Sequence, residues 1–310
     1  MKSYCPRLKI MYFVIFFFGF CGLAKNSHAA TINAASCSYA DVSAAIQNAS
    51  AGDTVNVPAG TCAWNNRLEI SKAITLIGAG AANTIINNGY SASCSGVDPT
   101  VYLLSILPTC SSNPAIRISG FTFNFGTASC GILYKNYSST TECTKVRLDQ
   151  LNISAAGFVF VHYGLAHGVM DNSIIRGTMD MGGSEVLWAA NNAVAAYEYG
   201  NNSNFYFEDN TWSYYSDVVD FGHAGNGAVR YAFRYNTIIS PPGHQESPLF
   251  DEHGNQPAQT GCFGAEIYGN SIDATNNENN QMNLYAQRGG KSLFYFNSVT
   301  YPVGKGAVKT

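Results

Sequence analysis

The sequence predicts an all-β protein folded as a right-handed parallel β-helix, a solenoid of short strands stacked coil upon coil. Three observations predict it: an apolar phrase ending in Asn recurs, almost no helical periodicity separates its copies, and charge is scarce. Of the 310 residues, 12% are charged and 13% aromatic, and 30 are glycines. This composition excludes a disordered chain and does not suit a coiled coil or helical array.

The recurring phrase is a short apolar strand, an Asn, a small polar residue and another apolar pair. Its anchors stand at steps of 20, 18, 26, 34 and 27 residues. They are Asn172, Asn192, Asn210, Asn236, Asn270 and Asn297. Looser copies lie at 118–121 and 148–151. In a parallel β-helix each coil lies about 4.8 Å above the last, so the anchor amides would form a ladder. A β-sandwich also has short, regularly spaced strands, but it does not explain the phrase.

The anchor Asn also suits a turn in the left-handed backbone region, which Asn and Gly tolerate better than other residues. The unequal steps indicate loops of different length leaving the stack. Such loops build the binding surface of solenoid proteins.

Residues 1–29 read as a secretory signal peptide, which leaves 30–310 as the β-helix domain. Lys2, Arg7 and Lys9 precede an apolar run over 10–24, and small residues at 27–29 suit a cleavage site. The run is shorter than the roughly twenty residues of a membrane-spanning helix; an uncleaved N-terminal anchor is the alternative. Cleavage after Ala29 leaves 13 basic and 20 acidic residues, a net charge of −7. The mature protein therefore has no basic surplus for nucleic acid and no segment for stable membrane insertion.

The cysteines agree with export into an oxidising compartment. Cys5 and Cys21 leave with the signal peptide, and seven remain. Pairing of neighbours predicts Cys37–Cys62, Cys94–Cys110 and Cys130–Cys143 and leaves Cys262 single. Sequence does not fix this connectivity. A zinc site is not indicated, because no Cys-x-x-Cys occurs.

The N-terminal part of the domain carries a family resemblance. Residues 40–49 place Val42, Ala45, Ile46 and Ala49 on one face of a short helix, which would cap the open end of the stack. Gly52-Asp53-Thr54-Val55, Pro58-Ala59-Gly60 and the strand 74–78 follow. Over 38–86 the chain resembles the secreted pectate-lyase-like right-handed parallel β-helix superfamily. That superfamily includes polysaccharide lyases, glycoside hydrolases, esterases and non-catalytic adhesins, so the fold does not settle the function.

The other end of the domain is abrupt. Only residues 302–310 follow the last predicted coil, near Tyr301. This is too little for a C-terminal cap, so we expect a fragment or a chain that is capped by assembly. The sequence leaves the oligomeric state open.

A polar column is predicted on one face of the stack. When the coils are aligned on their anchors, each preceding strand has a polar residue between apolar neighbours, and alternation places that residue outward. The predicted column consists of His162, Asp180, Glu198, Asp220, Asp251 and Arg288. In a chain this poor in charge, such a column indicates a site.

Two chemistries suit carboxylates one or two coils apart. Asp180, Glu198, Asp220 and Asp251 would hold Ca²⁺ through oxygen ligands, or a pair of acids would act as in a glycosidase. For uronate lyases, the resemblance implies calcium or Arg neutralising the uronate and a basic residue taking the C5 proton. Because a free guanidinium stays protonated, His253 is the predicted base and Arg288 the carboxylate clamp, with His223 as second choice. Asp220 and Asp251 complete the predicted catalytic set.

Aromatic residues flank this column and suggest how a sugar would bind. Tyr197, Tyr199, Tyr215 and Tyr285 are predicted to stack on sugar rings, with outer-face packing as the alternative. Asp180 and Glu198, taken singly, fit a solvated face equally well, and His162 and His167 fit hydrogen-bonded structural positions.

The sequence therefore predicts an exported protein that binds an extracellular polysaccharide and cleaves an acidic glycan by β-elimination. A glycoside hydrolase using Asp220 and Asp251 is the first alternative, and a non-catalytic carbohydrate-binding or adhesion module is the second. The usual pectate lyase strand signature and the hydrolase Asn-Thr-Asp motif are absent. Reaction type and substrate consequently stay open at this level.

Overall fold

A computed structural model describes the chain from residue 29 onward, with internal gaps. The described residues are 29–92, 97–126, 130–138, 140–182, 199–213, 223–224, 230–239, 249–252, 255–256, 259–260, 264–275, 281–287, 291–300 and 307–309. The predicted signal peptide lies outside this range, apart from Ala29.

Within these residues one α-helix and two short 3₁₀ helices accompany many short strands. The helices are α1 (Tyr39–Asn48) and the 3₁₀ turns Pro99–Val101 and Cys110–Ser112. The first strands are β1 (Thr31–Asn33), β2 (Thr54–Val57), β3 (Gly60–Trp64), β4 (Leu68–Ile70), β5 (Thr75–Gly78), β6 (Thr84–Asn88), β7 (Tyr102–Ile106), β8 (Ile116–Ser119), β9 (Thr122–Gly126) and β10 (Cys130–Lys135). Next come β11 (Cys143–Asp149), β12 (Asn152–Tyr163), β13 (Ala166–Asp171), β14 (Ile174–Gly182), β15 (Phe205–Glu208), β16 (Thr211–Ser213), β17 (His223–Ala224), β18 (Arg230–Arg234), β19 (Thr237–Ile239) and β20 (Phe250–Glu252). The last are β21 (Asn255–Gln256), β22 (Gln259–Thr260), β23 (Gly264–Tyr268), β24 (Ser271–Asp273), β25 (Gln281–Asn283), β26 (Tyr285–Gln287), β27 (Lys291–Tyr295), β28 (Ser298–Thr300) and β29 (Ala307–Lys309).

The helix α1 forms as predicted and packs beside the first strands. Ser38 caps its N-terminus by accepting a 3.2 Å bond from the backbone N–H of Asp41. Val42, Ala45 and Ile46 are buried on one face. At the other end the Lys72 ammonium donates to the carbonyls of Ile46, Gln47 and Ala49 at 2.9–3.0 Å, which satisfies carbonyls that have no partner within the helix.

The strands form a parallel β-helix with three faces. The first face is a 10-stranded sheet, β1-β2-β5-β8-β11-β13-β15-β18-β23-β27. The other two faces belong to a 15-stranded sheet. They merge only where the long strands β12 and β14 run from one face to the next.

The second face contains β3, β6, β9, β16, β19, β24, β28 and the first halves of β12 and β14. The third contains β4, β7, β10, β17, β20, β26 and the second halves of β12 and β14. Every strand pair within these two sheets is parallel, and the chain visits the faces in the same order in each coil. A parallel crossover of this kind is right-handed in the great majority of proteins.

Apolar columns from the three faces meet inside the coils. On the second face Phe123, Ile153, Ile175, Trp212, Ile238 and Ile272 follow one another in register. All six are completely buried. The core runs along the stack, so each coil is stabilised by the coils above and below it.

An asparagine ladder runs along the corner between the first and second faces, as the repeat predicts. The backbone N–H of Asn210 donates to Oδ1 of Asn236 at 3.0 Å, and Asn236 and Asn270 donate in the same way to Oδ1 of Asn270 and Asn297. The ladder begins at Ser173, whose N–H donates to Oδ1 of Asn210. These links span 37, 26, 34 and 27 residues of sequence, so loops of unequal length leave a regular stack.

The position of the left-handed residue is predicted correctly at one anchor and wrongly at the next. Asn172 has a φ of 50°, but at the following corner the left-handed residue is Asp209, with a φ of 56°, while Asn210 itself makes the ladder bonds. The phrase at 187–192 lies outside the described residues. On the first face β13 pairs directly with β15, with Gly168 opposite Phe205.

The disulfides confirm one predicted pair and overturn the others. Cys37 is bonded to Cys62. Cys110 is bonded to Cys143 across a separation of 33 residues, so the predicted Cys94–Cys110 and Cys130–Cys143 pairs are wrong. Neighbours in sequence are not neighbours in space here, because Cys110 and Cys143 approach from successive coils. Cys94 and Cys262 lie outside the described residues.

Arginine–carboxylate pairs line the outer side of the first face. Arg117 forms a two-pronged contact with Asp149, at 2.8 and 2.6 Å, and Arg147 does the same with Asp171, at 3.0 and 2.7 Å. Each arginine lies one rung before its acid, so the pairs tie successive coils together. None of the helices in the described part of the chain has the length and apolar character that crossing a membrane requires.

Candidate functional site on the third face

The third face brings three of the predicted site residues into one column. Strand pairing places Asp180 opposite His223, and His223 opposite Asp251. Val161 precedes them in the same column and Ala286 follows. Adjacent positions are one rung apart, about 4.8 Å. An imidazole-bearing residue therefore stands between two carboxylate-bearing residues on consecutive rungs.

The alternation of the strands gives this column its place. Phe160, Met179 and Phe250 stand next to the column positions and are completely buried in the core. Val161, the first residue of the column, belongs to a separate outer cluster with Tyr102 and Leu133. The segment 97–101 covers that cluster, since Val97 and Val101 pack against it. The three polar positions follow Val161 along the column.

The register differs from the predicted column at His162. Val161 pairs with Asp180, whereas His162 pairs with Met181. The reason is the irregular register of β12 between Phe158 and Phe160, because a shift of one residue moves a side chain to the opposite face. His162 is 1% exposed, and its Nε2 contacts the carbonyl oxygen of Ala166. It belongs to the interior and not to the column.

The register joins Asp180 directly to His223. Because β14 pairs directly with β17, nothing stands between Asp180 and His223 in the column. Glu198 and Asp220 lie outside the described residues, as do His253 and Arg288. In the sequence His253 follows Asp251 by two positions, and Arg288 follows Ala286 by two. The structure aligns Asp251 with Ala286.

The predicted sugar-stacking tyrosines have separate positions. Tyr199 is 46% exposed and lies in a turn before β15. Tyr285 pairs with Phe250 and packs against the core, with its ring 5.5 Å from that of Phe294. Tyr285 therefore contributes to packing at the third face. Tyr197 and Tyr215 lie outside the described residues.

His167 is buried behind the third face and held neutral. Burial, aided by His162 and Arg230, holds the pKa of His167 well below its ordinary value. Oε1 of Glu142 lies 3.8 Å from its Nε2, but this contact does not outweigh the cost of burying a charge. His167 is therefore buried as the sequence suggests, but the expected hydrogen bonding is wrong, because neither of its ring nitrogens has a hydrogen-bond partner in the described part of the chain.

Lys135 is a candidate residue that the sequence reasoning missed. It stands on β10, opposite Tyr163. Its ammonium lies 4.6 Å from the ring centre of Tyr137 and 5.2 Å from that of Tyr163, and it donates to the carbonyl of Val97. Partial burial lowers the pKa of Lys135, an effect that the nearby Asp98 carboxylate opposes. The alternation of side chains that defines the column, followed back by one coil, reaches Leu133, Tyr134 and Lys135. That alternation is the sequence signal that indicates this position.

The side chains of the predicted metal ligands lie outside the described part of the chain. No group of three or more His, Cys, Asp or Glu side chains suited to a metal ion occurs among the parts of the chain whose side chains are described. In the column the two carboxylate-bearing residues are two rungs apart, with His223 between them.

Comparison with known proteins gives similarity in fold at low identity. No family model matches the chain, and no curated protein sequence matches it. A crystal structure of an alginate lyase from Paenibacillus sp. strain FPU-7 is 15% identical, over 90% of this chain and 97% of that one, with a TM-score of 0.46. The ORF18 protein of Geobacillus virus E2 is 10% identical, over 90% of this chain and 59% of that one, with a TM-score of 0.43. The strand registers by themselves define the class of protein: a parallel β-helix with a polar column on its third face.

Proposed function

We propose that this is an exported member of the pectate-lyase-like β-helix proteins that binds an acidic extracellular polysaccharide and cleaves it by β-elimination. The observation that carries the proposal is the register of Asp180, His223 and Asp251 on consecutive rungs. A linear polymer lying along the stack would meet these groups one after another. The two disulfides fit an oxidising compartment outside the cytoplasm.

The reaction requires three catalytic roles at the cleavage point. A base takes the proton from C5 of the uronate, the C4–O bond breaks as a C4–C5 double bond forms, and the leaving oxygen takes a proton. The neighbouring carboxylate must be neutralised so that charge can develop at C5. Each of these roles requires a side chain of a different charge.

We assign these roles to residues of the column and to the residues beside it. His223, which stands between Asp180 and Asp251 in the column, gives a proton to the leaving oxygen. His253, two positions after Asp251, takes the C5 proton, and Arg288 pairs with the substrate carboxylate. Lys135 provides a second cation further along the face.

Calcium enters the proposal through the substrate. An ion shared between the substrate carboxylate and acids such as Asp251, Asp180, Glu198 and Asp220 would have the oxygen ligands it prefers. This role is testable by chelation, because a calcium-dependent reaction stops in chelator while one that relies on Arg288 and Lys135 continues.

A hydrolase is the second candidate, favoured by one observation. Asp180 and Asp251 are two rungs apart, about 10 Å along the backbone. Inverting glycosidases place their carboxyl groups about 6.5–9.5 Å apart, a separation of the same order. A binding module without turnover is the third candidate.

The decisive experiment measures ultraviolet absorbance and reducing ends together. Pectate, alginate and glycosaminoglycans are incubated with the protein, in calcium and in chelator. Unsaturated product supports the proposal, and reducing ends without absorbance support the hydrolase. Neither signal, from protein shown to be folded by circular dichroism, supports the binding module.

Variants then assign the roles. Asp251→Asn, His223→Asn and His253→Asn should each lower turnover at least a hundredfold while the melting temperature stays within a few degrees. The matched control is Asp209→Asn, because Asp209 is exposed at a corner away from the third face and Asn is tolerated at its φ of 56°. Full activity in His223→Asn would remove the column from the mechanism.

A further inference from the structure

Two aromatic residues stand at corner positions that elsewhere hold small or polar residues. In the corners between the first and second faces from β8 and β9 onward, one residue has a positive φ. From coil to coil these residues are Gly120, Gln150, Asn172, Asp209, Tyr235, Gly269 and Phe296. Five of the seven are Gly, Asn, Asp or Gln. Tyr235 and Phe296, with φ of 59° and 52°, are the exceptions.

These two residues hold a costly conformation with little burial in return. A bulky side chain at positive φ is uncommon and strained. Tyr235 is 55% exposed and Phe296 is 88% exposed, so neither ring is fixed by the core. Strain of this kind, kept at an exposed position, points to a function at that position.

The two rings belong to one aromatic surface, which we call the corner patch: Tyr235, Tyr268, Tyr295 and Phe296. The rings of Tyr268 and Tyr295 are stacked with centres 4.8 Å apart, one rung from the next. Tyr235 meets Tyr268 edge-on at 5.6 Å, and Phe296 lies 5.3 Å from Tyr295. Gly269 makes room for this arrangement, since a Cβ there would lie 2.8 Å from the Tyr235 ring.

A polar edge accompanies the rings. The Arg234 guanidinium donates to Oε2 of Glu208 at 2.7 Å and to the hydroxyl of Tyr268 at 2.9 Å. It also lies 4.5 Å from the ring centre of Tyr206. The edge therefore offers hydroxyl and guanidinium groups in fixed positions beside exposed ring surface.

We infer that the corner patch is a second, non-catalytic glycan-binding surface, on which a polysaccharide chain lies along the stack. A sugar unit combines an apolar C–H surface with a hydroxyl edge, which matches exposed rings bordered by polar groups. The aromatic contacts repeat from rung to rung, about 4.8 Å, and so suit a ligand that also repeats. The inference rests on the proposed function for the class of ligand, but the patch lies between the first and second faces and the polar column lies on the third.

The test replaces both strained rings with a residue that the corner tolerates. Asn172 occupies the equivalent position, so Tyr235→Asn/Phe296→Asn relieves backbone strain while removing the rings. The double variant is compared with its parent in native gels that contain polygalacturonate, alginate or hyaluronan. Both proteins carry Asp251→Asn so that the polymer stays intact. We expect about tenfold weaker retention in at least one polymer and a melting temperature that is unchanged or higher.

Gln150→Asn is the matched control, because Gln150 is an exposed corner residue at φ 53° outside the patch. It should leave retention unchanged. Equal retention of the double variant and its parent overturns the inference, and so does a parent that none of the polymers retains. A lower melting temperature in the double variant indicates a structural role and also overturns it.

Two further measurements distinguish glycan binding at the corner patch from self-association and from binding at the third face. A change of molecular mass in analytical ultracentrifugation, with retention unaltered, would show that the rings join copies of the chain and would overturn the inference. The absorbance assay on short soluble oligosaccharides, with Asp251 intact, reports the third face alone. Normal turnover there with lost polymer retention supports the corner patch, whatever the reaction type proves to be.

Discussion

The side-chain amide of Asn236 donates to Oδ1 of Asn270 at 3.2 Å, one rung further along the corner. The same amide donates to the carbonyl of Phe207 at 2.9 Å, and its own Oδ1 accepts from Asn210 and from the indole N–H of Trp212. Asn236 is 1% exposed. One buried side chain thus satisfies polar groups in three successive coils.

Removal of this amide should destabilise the stack strongly. Asn236→Ala leaves the backbone N–H of Asn210 and the indole N–H of Trp212 without their acceptor, so we expect a loss of about 2–4 kcal/mol in the free energy of unfolding. Urea denaturation measures it. Asn202→Ala, at an exposed position, should change stability by less than about 0.5 kcal/mol; similar losses in the two variants would argue against the ladder.

The Arg117–Asp149 pair should contribute more than an ordinary surface pair. Asp149 is 1% exposed, whereas Arg117 is 39% exposed, so Arg117→Met leaves a buried carboxylate with its main partner gone. We expect a loss of about 2 kcal/mol, below the value for a fully buried pair because solvent screens the arginine. Arg67→Met breaks the more exposed pair with Glu69 and should cost about 0.5 kcal/mol. Denaturation of both variants in one buffer tests the ranking.

His167 should make the fold sensitive to mild acid. Its pKa in the folded protein lies well below 6.5 because it is buried, while in the unfolded chain it titrates at about 6.5. As the pH falls below about 6.5, only the unfolded state takes up the proton, so stability is lost; above that pH the contribution is absent.

The measurement compares wild type with His167→Gln at pH 7.5 and pH 5.5. The wild type should lose more stability than the variant over this interval, by at most about 1.4 kcal/mol. Parallel pH profiles of the two proteins would show that His167 is protonated in the folded state.

The Cys110–Cys143 bond should be recoverable as a linked peptide. After digestion without reduction, mass spectrometry is expected to detect the Cys110 peptide linked to the Cys143 peptide. Cys110→Ser/Cys143→Ser should lower stability by about 3–4 kcal/mol, the entropy cost estimated for a loop of this size. A peptide that links Cys94 to Cys110 would contradict the structure.

The sequence was sufficient for the fold because its signal repeats. The ladder residues Asn210, Asn236, Asn270 and Asn297 are each followed by a small hydroxyl residue and an apolar one, and the structure confirms their stacking. The helix predicted over 40–49 from its apolar spacing forms over 39–48. In both cases the information is local, within a few residues.

The candidate site was harder to predict because it depends on register. Asp180 and Asp251 were placed in one column correctly, but the residue between them is His223 and not Asp220. Aligning the coils on the ladder fixed the first and second faces well, yet the third face follows bends of variable length. There an error of one residue exchanges inside for outside, as it did for Val161 and His162.

The unequal lengths between ladder residues, from 26 to 37, have a consequence for how such a protein evolves. Insertions and deletions in the loops between rungs do not change which residues stack. The hydrogen bonds of each rung are made by residues that precede or follow a loop, and not by the loop itself. The residues on the rungs would carry the chemistry and the loops between rungs would carry the selectivity. The two can therefore change independently during evolution. A graft of one such loop from a homologue should alter which polymer is accepted while the order of groups along the third face is retained.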